Sequence, residues 1–176
     1  MSMKKYSCIY ENKLQIRSIE TSDTDNIVKW RNNERVRKNF LYRETFTPEG
    51  HMKWMETKVA TGEVEQFIIG VVDDQTVRDI GSVYFRDIDR DKKSAEYGIF
   101  IGEDDAVGFG YGKMTAKWAV GYAREIMGLD SMILRVLADN ISAVKSYENA
   151  GFVPYEKQEN FIDGRDLIFM RCDLQA

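Results

Sequence analysis

Val107-Gly108-Phe109-Gly110-Tyr111-Gly112-Lys113 sets three alternating glycines between an apolar run and a long helical pattern. Glycine lacks a Cβ, tolerates positive φ and lets another molecule approach the main chain closely. Where such a turn opens a helix, the unbonded N–H groups of the first helical turn face whatever lies there. That is an anion site, and a pyrophosphate suits it. The expectation is a phosphate-bearing cofactor. Two common nucleotide loops fail on spacing. A dinucleotide fingerprint counted from Gly108 would have its third glycine where Lys113 stands. A P-loop needs a glycine where Val107 stands and Ser or Thr where Met114 stands. The loop by itself leaves a plain flexible turn as the competing reading.

Other residues carry possible chemistry. Alternation along the strand containing Ala95-Glu96-Tyr97-Gly98-Ile99 puts Glu96, Gly98 and Phe100 on one face. A carboxylate there is placed to take a proton, directly or through water, or is simply an exposed strand-end glutamate. Arg31, Arg35, Arg37 and Lys38 could meet phosphates, since guanidinium pairs bidentately with them; the alternative is a solvated basic helix end. The acidic residues Asp73, Asp74, Asp79, Asp87, Asp89, Asp91 and Glu103 to Asp105 would instead suit a cationic acceptor. Asp87-x-Asp89-x-Asp91 starts like a calcium loop, but Lys92 and Gly98 occupy positions that need Gly and Glu, so it reads as a solvated hairpin. His51, the only histidine, reads as an exposed helix residue. No metal site is expected. Cys8 and Cys172 read as free thiols in a reducing cytosol.

Behind these residues stand ordinary globular elements. A chain of 176 residues, 43% hydrophobic, is enough for one domain spanning 1–176. The net charge of −4 supplies no basic field for nucleic acid or anionic lipid. No run of 18 apolar residues suggests a membrane span, and Met1 to Lys5 lacks the apolar core of a secretory signal, so a cytoplasmic protein is expected. Strands are predicted at 13–19, 66–73, 80–87, 94–101, 131–138, 152–157 and 167–173. Helices are predicted after Thr21-Ser22-Asp23, from Thr47-Pro48 to about Val59, over 111–127 and over 141–150. Trp30 and Trp54 fall at apolar helix positions and read as core. Helices among hairpins indicate a mixed sheet.

The glycine loop together with Asn140-Ile141-Ser142-Ala143-Val144-Lys145-Ser146-Tyr147-Glu148-Asn149-Ala150-Gly151-Phe152 resembles the GNAT acetyltransferase superfamily, from about Lys13 to the C-terminus. The resemblance implies an α+β (mixed α/β) fold: a central, mostly antiparallel sheet of about seven strands, with helices on both faces, splayed between the fourth and fifth strands. It implies an acetyl-coenzyme A-dependent N-acetyltransferase acting directly on a primary amine in a ternary complex, with no metal. The amides from Gly108 through Phe109, Gly110, Tyr111 and Gly112 to Lys113 would wrap the pyrophosphate. Backbone groups of Ile99 and Ile101 would bond the pantetheine arm; the residues themselves could equally be core. Asn140 would touch that arm and also cap the helix at Ile141. Tyr147 would be the general acid, and Glu96 matches a position where several branches carry a carboxylate base. Val107 stands where Arg or Gln is usual, which shifts cofactor affinity toward the backbone amides. The stretch from Trp30 to Lys38 resembles two bacterial branches, one acetylating ribosomal-protein N-termini and one acetylating nucleotide-linked amino sugars. Arg31, Arg35 and Arg37 would then bind substrate. A polyamine or aminoglycoside acceptor, or a non-catalytic coenzyme A-sensing module, are the alternatives. A monomer or a homodimer paired through the last strand is expected.

Overall fold

The computed structural model describes residues 5–175, so the reading of Met1 to Lys4 lies outside the described residues. The strands are β1 (Ser7–Tyr10), β2 (Leu14–Ser18), β3 (Glu65–Asp73), β4 (Thr76–Asp89), β5 (Ser94–Ile101), β6 (Ser131–Leu137), β7 (Val153–Ile162) and β8 (Arg165–Asp173). They form one sheet of eight in the order β1-β2-β3-β4-β5-β6-β8-β7. β5 and β6 run parallel; β1–β2, β2–β3, β3–β4, β6–β8 and β7–β8 pair antiparallel. The helices are α1 (Thr24–Asn32), α2 (Glu34–Arg37), α3 (Pro48–Trp54), α4 (Tyr111–Glu125) and α5 (Ile141–Ala150). β1 and α2 add to the elements expected from sequence. Each is four residues long, too short to show a period.

The chain divides into two compact units, Met1–Phe85 with Ile99–Tyr111, and Arg86–Gly98 with Gly112–Ala176. In the first, Thr47 caps α3 by accepting a hydrogen bond from the Gly50 N–H at 3.1 Å, and Pro48 supplies a preset φ at the first helical position. The helix then widens into a π turn over Met55–Val59. Met55 and Val59 point into a core built with Ile19, Ile27, Trp30 and Ile68. Trp30 is fully buried, as expected, and its Nε1–H donates to Glu103 at 2.8 Å. Trp54 is half-buried and donates to Gln66 Oε1 at 3.0 Å. A Cβ on Gly102 would run into the Trp30 ring, so this glycine is required for that packing. In the second unit, α5 ends at Gly151 in the left-handed region (φ 105°), the turn a helix C-terminus needs. The edge strand β7 carries Pro154, Lys157 and two register shifts, features that discourage pairing with a further strand.

His51 corrects an expectation. It is buried, not exposed, with 1% of its surface accessible. His51 and Met55 lie one turn apart on the inner face, and that spacing was the available signal. Thr24 Oγ1 donates to the Thr21 carbonyl at 2.8 Å, so it accepts from His51 Nδ1 at 2.9 Å. Nε2 has no partner among the described residues. Burial pushes the imidazole below its ordinary 6.5; Asp23 pulls the other way, and Arg31 adds to the burial effect. The unfolded chain then binds a proton that the folded chain refuses. Stability is full above pH 6.5 and falls as pH drops from there toward the folded value. Denaturant midpoints measured from pH 8 to pH 5 should decline in the lower half of that range, and His51→Gln should flatten the decline. An equal slope in both proteins would refute it.

Candidate active site

The glycine turn takes the conformation that only glycine adopts cheaply. Gly108 and Gly110 have φ of +89° and +81°, and no atom lies within 4 Å of a Cβ built on either, or on Gly112. The main chain is therefore open to an approaching molecule, and α4 begins at Tyr111. Phe109 is 66% exposed and its ring stacks on Tyr111 at 5.8 Å. Exposed backbone leading into a 15-residue helix is the arrangement that holds a pyrophosphate.

The parallel pairing of β5 with β6 is short. β5 and β6 are paired at Ser94↔Ser131, Ala95↔Met132 and Glu96↔Ile133, where the described ladder ends. Yet β5 runs on to Ile101 and β6 to Leu137. Ile99 and Ile101 are half-buried. The Ile101 carbonyl already accepts from Arg35 Nη2 at 2.8 Å.

Where the ladder ends, successive side chains go to opposite faces. Glu96 meets two guanidinium groups. Arg135 Nε and Nη2 donate to its two oxygens at 2.8 and 3.4 Å. Arg86 Nη2 lies 3.3 Å from both. Only 11% of the Glu96 side chain is accessible, so it is an engaged carboxylate and not an exposed strand end. Tyr97, on the other face, contacts the Tyr147 ring edge-on at 6.0 Å. Tyr147 also packs against Phe152 at 6.1 Å and is buried. The proposed acid and the proposed base thus stand on opposite faces of one strand end. Asn140 occupies the cap position of α5, but its side chain makes no capping hydrogen bond. That corrects the second role given to it; its φ and ψ of −82° and 68° are not the extended geometry from which a cap side chain reaches back.

The arginines expected to bind substrate are engaged inside the first unit. Arg31 lies over the rings of Phe40 and Phe46, at 3.8 and 4.5 Å. Arg35 also pairs with Asp104 at 2.8 Å, and Arg37 Nε donates to the Arg43 carbonyl at 2.8 Å. Arg35 and the Asn33 amide hold Asp104 below its usual range. Lys29 and the Trp30 N–H do the same for Glu103. Asp89 Oδ1 accepts from the Lys92 N–H at 2.9 Å in the hairpin after β4. Among the described residues no cluster of metal-ligating side chains is present.

Residues 13–153 match the family described as "Acetyltransferase (GNAT) domain". The chain belongs to the GNAT acetyltransferase family. As a GNAT N-acetyltransferase it takes acetyl-coenzyme A as co-substrate. A spermidine N(1)-acetyltransferase of Vibrio cholerae is 28% identical over 156 residues, 88% of each chain. An uncharacterised protein of Methanocaldococcus jannaschii is 28% identical over 148 residues, 84% of this chain; the match spans 29% of that longer protein. The crystal structure of the Vibrio cholerae spermidine N-acetyltransferase in complex with CoA and spermine superposes with a TM-score of 0.85. It is 22% identical, covers 94% of this chain and 98% of that one, and shares the GNAT fold. No described helix is long and apolar enough to cross a membrane.

Proposed function

We propose that residues 1–176 act as a single domain that transfers the acetyl group of acetyl-coenzyme A to a primary amine of a small molecule. The observation that carries this is the end of the described β5–β6 ladder, with Glu96 on one face and Tyr147 on the other. Acetyl-coenzyme A supplies a thioester. The amides from Gly108 to Lys113 hold its pyrophosphate, with Phe109 and Tyr111 flanking, and Asn140 touches the pantetheine arm. Backbone groups of Ile99 and Ile101 line that arm. A preorganised N–H there contributes about 3 kcal/mol to the transition state.

An amine arrives mostly protonated at neutral pH and reacts only when neutral. Glu96 accepts its proton. Arg135 holds the carboxylate through the short 2.8 Å bond, while the two 3.3 Å contacts to Arg86 are long and yield first. As the new N–C bond forms and the C–S bond breaks, the Tyr147 hydroxyl gives its proton to the departing sulfur, and the second proton that the nitrogen sheds restores the tyrosine through solvent. Both partners react directly, so no acyl-enzyme forms.

The Vibrio cholerae relatives, named for spermidine, support a small-molecule amine over a ribosomal-protein N-terminus. The panel of acceptors holds both polyamines and amino sugars. The free Cys8 and the buried Cys172, whose thiol is pushed up by burial, suit a cytoplasmic enzyme. Thiol release with acetyl-coenzyme A over such a panel tests the reading. It predicts release that depends on the amine. Cofactor binding with no release for any amine would instead favour a coenzyme A-binding module without activity.

A further inference from the structure

Two arginines beside the proton acceptor are more than its carboxylate needs. Arg135 makes the one short bond, Nε to a Glu96 oxygen at 2.8 Å, and its Nη2 lies 3.4 Å from the other. Arg86 contributes only Nη2, at 3.3 Å to each oxygen. Its Nε lies 3.7 Å from Asp87, whose side chain is 78% accessible and therefore solvated. Its Nη1 has no hydrogen-bond partner among the described residues. The Arg86 side chain is 23% accessible, so a ligand can reach it.

The charges here do not suit a polycation. A polyamine delivering one amine to Glu96 brings further ammonium groups toward two guanidiniums. The partly buried setting screens that repulsion less than open solvent would. A guanidinium with an unused edge is instead shaped for a phosphate or carboxylate. Its neighbour Glu96 is where the amine must come. Ammonium and anion on one small molecule would thus meet Glu96 and Arg86 in the complementary order.

We propose that Arg86 is a specificity-determining residue that binds an anionic group, phosphate or carboxylate, carried by the same small molecule as the acetylated amine. This rests on the acetyl-transfer reading above and narrows its acceptor.

The experiment compares glucosamine, glucosamine 6-phosphate, UDP-linked glucosamine, the carboxylate 2-amino-2-deoxygluconate and spermidine as acceptors for the full chain. Acetylated products are measured by mass spectrometry and thiol release. The expected result is kcat/KM about tenfold or more higher for an anion-bearing amine than for glucosamine, with the preference reduced at least severalfold in Arg86→Gln. The phosphate and carboxylate arms say which anion is read. Arg86→Lys keeps the charge without the fork and should fall between, so a poorly folding glutamine variant does not end the test. Titration with acetyl-coenzyme A checks that each variant keeps its cofactor site. Turnover of spermidine with no preference for an anion, or a preference that survives in both variants, would overturn the proposal and leave acetyl transfer standing. Bound acetyl-coenzyme A with no amine turned over would overturn both.

Discussion

Tyr147→Phe should lower turnover on the order of tenfold to a thousandfold, with acetyl-coenzyme A affinity changed less than about threefold. The substitution removes one oxygen. The ring that packs against Tyr97 at 6.0 Å and Phe152 at 6.1 Å remains, so the packing of α5 on β5 is kept. What is lost is the proton for the departing sulfur, which must then leave as a thiolate. Turnover comes from thiol release at saturating amine, and affinity from calorimetry on the variant and the parent. A kcat equal to the parent's would remove Tyr147 as the acid. A fall in cofactor affinity alone would make its role positional.

Gly110→Val should act on the cofactor instead. At φ +81° a branched side chain is strained, by roughly 1–2 kcal/mol from left-handed backbone alone. The space around the position is empty, so no clash within the chain adds to this cost. The valine would stand between the loop amides and the pyrophosphate. The dissociation constant for acetyl-coenzyme A should rise by about tenfold or more, while coenzyme fragments lacking the pyrophosphate are affected far less. An unaltered constant would mean that the turn is structural and the anion binds elsewhere.

Local chemistry was legible where it was sufficient. Thr47-Pro48 announced the start of α3, and Thr47 does cap it. Ser94–Ile101 and Ile141–Ala150 fall on the strand and helix predicted there. The glycine turn, Glu96 and Tyr147 were all readable as candidates. The partners of Glu96 were not. Arg86 and Arg135 lie 10 and 39 residues away, on β4 and β6, and only the strand order brings them to one carboxylate. Likewise Arg31 looks like a surface cation until Phe40 and Phe46 fold over it. His51 looked exposed because a polar side chain in an amphipathic helix usually is, and here Thr24 from another helix satisfies one of its nitrogens. The capping bond of Asn140 failed for a backbone reason that no sequence pattern displays.

The central claim is that main-chain amides of the glycine turn anchor the donor so that its thioester reaches the end of the β5–β6 ladder. A crystal structure of the full chain with acetyl-coenzyme A tests it most directly. The account predicts pyrophosphate density against the amides of Gly108 to Lys113, with the thioester sulfur within hydrogen-bond reach of the Tyr147 hydroxyl. Ordered cofactor with its pyrophosphate away from those amides, or its sulfur remote from Tyr147, would contradict it.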